Sequence, residues 1–247
     1  MRIANKGLAA ALIFWLLAAY PAAAEGPCHP VQFDTVSYTV CTVDPAHTQL
    51  ALYNADATGA PYGSFGTLAA ALQARGQTLL FAMNAGMFDD KLRPIGLYVE
   101  QGRELKKINR RGGPGNFHMK PNGVFYFAGG RAGVLETEAY LKARPKPDFA
   151  TQSGPMLVIN GAIHPAFSPT GTSYKRRNGV GIRDDGQVVF AISEVPVNFY
   201  GFARLFRDEL GTKNALFFDG TVSSLYDLAL ARDDQAFSLG PIVAAVQ

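Results

Sequence analysis

Several motifs that define large enzyme classes are absent from this 247-residue chain. It has no Gly-rich loop ending in Gly-Lys-Ser or Gly-Lys-Thr, and no GxGxxG segment opens a helix, which excludes the common nucleotide-binding motifs. It also lacks a GxSxG segment, so the nucleophile elbow of the α/β-hydrolases is excluded. The four histidines show no His-x-x-x-His spacing of the kind that binds zinc.

Cysteine is also scarce, with only Cys28 and Cys41 in the whole sequence. Two lone cysteines do not supply the four ligands of a structural zinc site. Neither lies beside a histidine motif, so thiol catalysis is not favoured. In an oxidising compartment the two are close enough in sequence to pair. We therefore predict a Cys28–Cys41 disulfide that staples the first hairpin.

Only one long apolar run is present, the 13 residues from Leu8 to Tyr20. Positive residues precede this run, and the small residues Ala22 to Ala24 follow it, which is typical of a signal peptide. The alternative is a membrane anchor, but a span needs about 20 apolar residues. We predict that residues 1–24 are a signal peptide cleaved near Ala24-Glu25. Residues 25–247 are then an exported domain, periplasmic or secreted, with no membrane span.

Most of the excess of basic over acidic residues comes from the predicted signal peptide. The whole chain has 23 basic and 20 acidic residues, and two of the basic residues lie in the first 24 positions. The remaining 21 basic and 20 acidic residues are nearly balanced, so the domain has no electrostatic footprint for nucleic acid. The basic run from Lys106 to Arg111 is interpreted as a solvated loop.

The remaining pattern is rich in short apolar strands with a few helices between them. Helices are predicted at 67–75, 137–143 and 202–210, and a further helical segment at 225–232. Asp184-Asp185-Gly186 predicts a tight hairpin turn between 179–183 and 187–193. No regular βαβ alternation is visible, which argues against a doubly wound parallel sheet. We expect a single α/β (α+β) domain that is β-rich, with mixed β-sheets and a few flanking helices.

Four of the apolar strands end in, or begin from, short polar motifs. Glycines in these motifs let backbone N–H groups approach a ligand, and loops on a rigid sheet are the usual location of binding residues. Each motif alone is equally typical of a turn. The four motifs are Asn84-Ala85-Gly86, Gln152-Ser153-Gly154-Pro155, Ser193-Glu194 and the segment from Asp219 to Ser224.

Charged residues in two of these regions suggest glycosidic chemistry. Glu194 and Asp219 are candidates for a working carboxylate pair, because glycoside cleavage commonly uses two carboxyl groups. A guanidinium in the Lys175–Asn178 segment is suited to hold a phosphate by two parallel hydrogen bonds. The alternatives are an ion pair or a turn cap for each acid and a solvated loop for the basic segment.

The ordered series of motifs resembles the phosphodiester glycosidase family, the domain type of the lysosomal uncovering enzyme, and its exported bacterial members. The motifs extend over nearly all of the domain. They are NAGMF (84–88), PIGLYVEQG (94–102), NFHMKPNGVFYF (116–127), TQSGPMLVINGAIHP (151–165), RRNGVGI (176–182), ISEVPVNFYGFARLF (192–206) and FFDGTVSSLY (217–226). The last motif departs from the Asp-Gly-Gly-Gly-Ser loop of the better-studied branch.

The resemblance implies a hydrolase that acts on a sugar-1-phosphodiester and leaves a phosphomonoester. The alternative is a non-catalytic periplasmic binding protein for glycans or envelope phosphosugars. The expected partner in either case is a phosphorylated sugar or glycan. No cofactor is required, although Asp and Asn oxygens are suited to a divalent cation such as Ca²⁺. We take Asp219, Glu194 and Arg177 as catalytic candidates. Candidates for substrate binding are Asn84, Gly86, Ser153, Gly154, Asn178, Gly220, Ser223 and Ser224.

Overall fold

A computed structural model describes residues 26–247. The predicted signal peptide lies outside the described residues. The described chain forms seventeen strands and three α-helices, with a 3-10 turn at Asn116–His118 and a π-helical turn at Leu205–Glu209. The helices are α1 (Phe65–Gln73), α2 (Thr137–Ala143) and α3 (Phe199–Arg204). The strands are β1 (Cys28–Phe33), β2 (Val36–Val43), β3 (Gln49–Tyr53), β4 (Leu79–Asn84), β5 (Tyr98–Glu100), β6 (Arg103–Lys106), β7 (Gly123–Ala128), β8 (Arg131–Glu136), β9 (Phe149–Ser153), β10 (Met156–Ile159), β11 (Ala162–Ile163), β12 (Asn178–Arg183), β13 (Val188–Ser193), β14 (Thr212–Phe217), β15 (Leu225–Asp227), β16 (Arg232–Asp233) and β17 (Ile242–Val246).

The strands form three sheets. The first has seven strands in the order β1-β2-β13-β12-β14-β10-β11. The second has the order β16-β15-β4-β17-β3, and the third has the order β6-β5-β9-β7-β8. Every strand pair in them is antiparallel. The predicted β-rich single domain with a few helices is therefore confirmed. The expectation of mixed sheets is corrected, because all the pairs between these strands are antiparallel.

One central core joins the three sheets. Its buried side chains include Phe81 from the second sheet, Phe125 from the third and Phe190 from the first. The Phe190 ring centroid lies 5.0 Å from that of Phe81 and 5.8 Å from that of Phe125. The short apolar runs of the sequence form strands because alternate residues are buried on this inner side while the others face a helix. Consequently no sheet has its complete core without the other two.

Each sheet also packs on the outside against a helix. The outer face of the first sheet packs against α3 and the π-helical turn, through residues such as Phe202 and Phe206. Leu68 and Leu72 of α1 cover the second sheet, and Tyr140 of α2 covers the third. None of the helices in residues 26–247 is long and apolar enough to span a bilayer.

Two local predictions were wrong. Helix α1 begins at Phe65, and its N-cap is Ser64, whose Oγ accepts a hydrogen bond from the N–H of Thr67; Thr67 itself lies inside the helix. Residues 225–232 are not helical, since β15 and β16 form a hairpin there. Leu225 pairs with Met83 of β4, so tertiary pairing outweighs the helical propensity of this segment. The predicted Asp-Gly hairpin is confirmed by β12 and β13.

Cys28 and Cys41 form a disulfide across β1 and β2, where the two residues are register partners. β1 is an edge strand and pairs only with β2 in the described sheet. The bond therefore attaches the start of the described chain to the first sheet.

We expect the Cys28→Ser/Cys41→Ser variant to unfold at a lower temperature than the wild type. Loss of a cross-link increases the freedom of the unfolded chain and typically costs about 2–4 kcal/mol. Thermal and urea unfolding of oxidised protein, reduced protein and the double variant measures the effect. Equal free energies of unfolding in all three samples would show that the bond does not stabilise the domain.

Candidate functional site

Five polar residues from three elements meet where the first and second sheets adjoin. Asn84 ends β4 and Asn178 begins β12. Asp219, Ser223 and Ser224 lie in the loop that follows β14. All except Asp219 are buried, and the Asp219 side chain is partly buried. The structure thus brings together residues that are more than 90 positions apart in sequence.

Two buried amide side chains hold this loop in place. The Asn178 Nδ2 donates to both Oδ1 and the backbone oxygen of Asn84, each at 2.9 Å. Asn84 Oδ1 also accepts from the N–H of Ser224 at 2.9 Å. Asn178 Oδ1 accepts from the N–H of Asp219 at 3.3 Å and from Ser223 Oγ at 3.2 Å. Since buried amides must be hydrogen-bonded, these contacts determine the path of the loop.

The Asp219 carboxyl group is the one acidic side chain among these five residues. Its Oδ1 accepts a hydrogen bond from the N–H of Thr221 at 2.9 Å. Burial raises the pKa of this carboxyl, and the Thr221 N–H offsets part of that rise. No salt bridge to Asp219 is found within residues 26–247. A buried carboxylate without a paired cation is more basic than an exposed one, which suits a base or nucleophile.

Three serine hydroxyls donate hydrogen bonds to backbone oxygens at or near the Asp219–Ser224 loop. Ser223 Oγ donates to the backbone oxygen of Asp219 at 2.9 Å, and Ser224 Oγ donates to that of Val222 at 2.8 Å. Ser153 Oγ donates to the backbone oxygen of Phe218 at 2.7 Å. These three hydroxyls therefore shape the chain on both sides of Asp219.

The three glycines predicted to approach a ligand instead allow close packing of chain segments. A Cβ on Gly86 would lie 2.7 Å from the backbone oxygen of Gln152. A Cβ on Gly154 would lie 2.6 Å from the Cβ of Asn122, and one on Gly220 would lie 3.0 Å from the backbone oxygen of Arg176. Side chains at these positions would push apart the segments that assemble the site.

A second cluster, which we call the ion cluster, adjoins the loop and consists of Thr39, Arg176, Glu194, Arg232 and Asp234. Arg232 Nη1 lies 2.6 Å from Glu194 Oε1, and Arg232 Nη2 lies 3.0 Å from Asp234 Oδ2. Thr39 Oγ1 donates to Glu194 Oε1 at 2.6 Å. Arg232 Nη1 also donates to Thr39 Oγ1, and its Nε to Asp234 Oδ1, so its donors are all engaged. Both carboxylate oxygens of Glu194 are thus hydrogen-bonded, and the residue forms an ion pair with Arg232.

Arg176 is the arginine of the ion cluster that keeps donors available. Its Nη2 lies 3.6 Å from both Glu194 Oε2 and Asp234 Oδ2, and its Nε donates to the backbone oxygen of Ser193. Its Nη1 has no partner among residues 26–247, and 36% of the side chain is exposed. The backbone oxygen of Arg176 lies 3.3 Å from Ser223 Oγ. This contact places Arg176 against the loop that carries Asp219.

Arg177 does not face this cluster, in contrast to its predicted role as the phosphate-binding arginine. Its side chain is fully buried, with the guanidinium carbon 3.5 Å from the ring centroid of Phe199. Its Nε donates to the backbone oxygen of Val197, and its Nη2 donates to that of Ser173. Burial lowers the pKa of Arg177 to about 10. The physical reason is strand alternation, which turns residue 177 to the face opposite Asn178.

Four members of the ion cluster were not predicted as site residues from the sequence. Arg176 could have been found from Asn178, because side chains two residues apart in an extended chain lie on the same face. Thr39, Arg232 and Asp234 carry no sequence signal. They come together only because β13 pairs with β2 and because residues 225–233 form a hairpin. In the part of the chain that the structure describes, no group of three or more His, Cys, Asp or Glu side chains is arranged as metal ligands.

Comparison with known proteins agrees with this architecture. The family model for phosphodiester glycosidases, NAGPA, matches residues 77–238. The chain is 39% identical over 192 residues to the uncharacterized protein YigE of Escherichia coli K12, covering 78% of this chain and 75% of that protein. The chain therefore belongs to the phosphodiester glycosidase family, a family of hydrolases.

Solved structures share the fold at low sequence identity. The catalytic domain of zebrafish N-acetylglucosamine-1-phosphodiester alpha-N-acetylglucosaminidase, auto-inhibited by its pro-peptide, superposes with a TM-score of 0.60 at 15% identity. That match covers 88% of this chain and 81% of the zebrafish chain. A Burkholderia pseudomallei protein described as exported superposes with a TM-score of 0.57 at 11% identity, covering 85% and 74% of the two chains.

The raised pKa of Asp219 makes a testable prediction about stability. A carboxyl whose pKa is higher in the folded state binds protons more tightly when folded, so ionisation at neutral pH opposes folding. We expect Asp219→Asn to be more stable than the wild type at pH 7. This advantage should disappear as the pH falls below the ordinary Asp pKa of about 3.9, where both states are protonated.

Urea unfolding of the two proteins between pH 3 and pH 8 measures this difference. Asp184→Asn, at an exposed position of the β12–β13 turn, is the matched control and should show no such pH-dependent gain. A wild type that is more stable than Asp219→Asn at pH 7 would contradict the assignment of a destabilised carboxylate.

Proposed function

We propose that the protein is an exported hydrolase that cleaves the glycosidic bond of a sugar-1-phosphodiester and leaves a phosphomonoester. The observation that carries the proposal is the partly buried Asp219 carboxyl, which has no salt-bridge partner among residues 26–247. It lies in a loop whose backbone is held by two asparagine side chains and packs against the backbone oxygen of Arg176. Family membership and the zebrafish enzyme's fold support the same reaction class. The Cys28–Cys41 disulfide supports export, because such bonds persist in oxidising compartments.

In the proposed reaction the bond between the anomeric carbon and the phosphate oxygen breaks, and water supplies the new hydroxyl. The departing oxygen remains on the phosphate with its electron pair, so the leaving group is a stable phosphomonoester that needs little protonation. Asp219 takes the proton of the attacking water, or attacks the anomeric carbon itself. Its raised pKa makes the ionised form a stronger base than an exposed aspartate.

Arg176 is the residue that we assign to the phosphate. Its free Nη1 and its loosely held Nη2 are suited to two parallel hydrogen bonds with phosphate oxygens. This contact neutralises charge that grows on the leaving group. Glu194 and Asp234 position Arg176 through its Nη2, and Arg232 forms a salt bridge with each of these two acids. Glu194 therefore has a positioning role, and a single carboxylate performs the chemistry at the sugar.

The purified domain, residues 25–247, should hydrolyse an N-acetylglucosamine 1-phosphodiester in vitro. We expect Asp219→Asn to lower kcat/KM by about 10²-fold or more, because removal of a group that acts in the transition state costs this much. Release of free sugar and of phosphomonoester is followed by chromatography. Asp184→Asn should retain full activity. Ligand-induced stabilisation of the wild type without any product would instead favour a non-catalytic binding protein.

Substitution of Arg176 should change activity, whereas substitution of the neighbouring Arg177 should change stability. Arg176→Met is expected to lower kcat/KM about 10²-fold at an unchanged melting temperature, because the side chain is partly exposed and makes loose contacts. Arg177→Met is expected to lower the melting temperature, because the buried backbone oxygen of Val197 loses one of its donors.

Arg131→Met, at the exposed start of β8, is the matched control and should change neither quantity. Both quantities are measured for all three variants by steady-state kinetics and thermal unfolding. Full activity in Arg176→Met, together with loss of activity at unchanged stability in Arg177→Met, would assign the phosphate to Arg177.

A further inference from the structure

A cavity of about 790 Å³ lies between the second and third sheets, away from the residues of the candidate site. Its walls are the end of β3 with the loop that follows it, Arg75 after α1, and the β5–β6 hairpin. Strands β3 and β6 are edge strands of their sheets. The volume is typical of cavities that bind small molecules, which range from about 300 to 1,000 Å³. None of the five cluster residues and none of the ion cluster lines it.

The cavity carries an excess of unpaired positive charge. Arg75, Arg103 and Lys106 line it, and none of them forms a salt bridge with any carboxylate of residues 26–247. Two acids also line the cavity. Asp56 Oδ1 accepts hydrogen bonds within its own turn, from the N–H groups of Thr58 and Ala60. Burial raises the pKa of Glu100, the other acid, and the Tyr98 hydroxyl and Arg103 offset part of that rise.

A β-bulge in β6 adds the charge of Lys106 to that of the other basic residues that line the cavity. In β6 the register shifts so that Lys106 pairs with Tyr98 and Arg103 pairs with Glu100, while Leu105 is the extra residue. Without the bulge, alternation would place Lys106 on the face opposite Arg103. The bulge turns Lys106 to the cavity face, which is the effect that bulges have beside binding sites.

The rest of the lining is rich in groups that pair with hydroxyls. Tyr98 is buried, and its hydroxyl donates to Glu100 Oε2 at 2.9 Å. Arg75 Nη2 donates to the Tyr62 hydroxyl at 3.0 Å, which fixes the guanidinium against the wall. Asn54 Oδ1 is buried and has no hydrogen-bond partner among residues 26–247. An orphaned acceptor of this kind is satisfied when a ligand donates to it.

We propose that this cavity is a second binding site, separate from Asp219, which takes a sugar that carries an anionic group. The sugar hydroxyls pair with Asn54, Glu100 and the tyrosine hydroxyls. Its phosphate or carboxylate pairs with Arg75, Arg103 and Lys106. The proposal rests on the cavity alone and does not require the hydrolase activity.

Isothermal titration calorimetry of the domain with four probes tests this site. The probes are glucose 6-phosphate, glucuronic acid, glucose and inorganic phosphate. We expect glucose 6-phosphate or glucuronic acid to bind at least about tenfold more tightly than glucose, and more tightly than inorganic phosphate. The stronger of the two charged sugars identifies the source of the anion.

Variants locate the site. Arg103→Met and Lys106→Met should each weaken binding of the charged sugar at least fivefold, because each removes a charge-assisted hydrogen bond. Arg131→Met, at the start of the opposite edge strand of the same sheet, should leave the affinity unchanged. Asp219→Asn should also leave it unchanged. Thermal unfolding confirms that the variants are folded, which is expected for three of them because Arg103, Lys106 and Arg131 are exposed.

Three results would overturn the proposal. The first is the absence of binding of both charged sugars at millimolar concentration. The second is equal affinity for glucose or for inorganic phosphate. The third is binding that Asp219→Asn abolishes while the Arg103 and Lys106 variants retain it, since this would place the sugar in the candidate active site.

Discussion

The structure depends on one buried contact between two amide side chains, those of Asn84 and Asn178. The first belongs to the second sheet and the other to the first sheet, and neither is exposed to solvent. Their hydrogen bonds satisfy each other and the backbone of the Asp219–Ser224 loop. Loss of either amide would leave a buried polar group unpaired, at a cost of about 1–3 kcal/mol. The same contact therefore joins the two sheets and holds the Asp219–Ser224 loop in place.

The charges around this contact have distinct roles because their surroundings differ. Asp219 is partly buried and forms no salt bridge with any residue of the described chain, and burial raises its pKa. Glu194 and Asp234 are held by Arg232, and they serve as fixed counter-ions. Arg177 is buried against Phe199 and holds backbone oxygens. Position on the chain, more than residue type, decides which of two adjacent arginines faces Glu194 and Asp234.

Much of the fold and part of the site could be predicted from sequence. Apolar periodicity and the Asp-Gly turn predicted the β-rich domain and the β12–β13 hairpin, since these signals are local. The polar ends of strands pointed to Asn84, Asn178 and Asp219, which the structure brings together. The ion cluster could not be predicted, because Thr39 meets Glu194 only through pairing of strands more than 140 residues apart. The hairpin at 225–233 was missed for the same reason, since its pairing with β4 is remote.

The shared core of the three sheets has a consequence for how the protein acquires its site. Residues separated by 94 and 140 positions must meet before the Asp219 loop has its shape. Such remote pairing forms late and slowly, because loop closure must precede it. The second sheet is complete only when β17 lies between β4 and β3, and Ile242 of β17 is the register partner of Asn84. The C-terminal strand therefore supports the residue that holds the Asp219 loop.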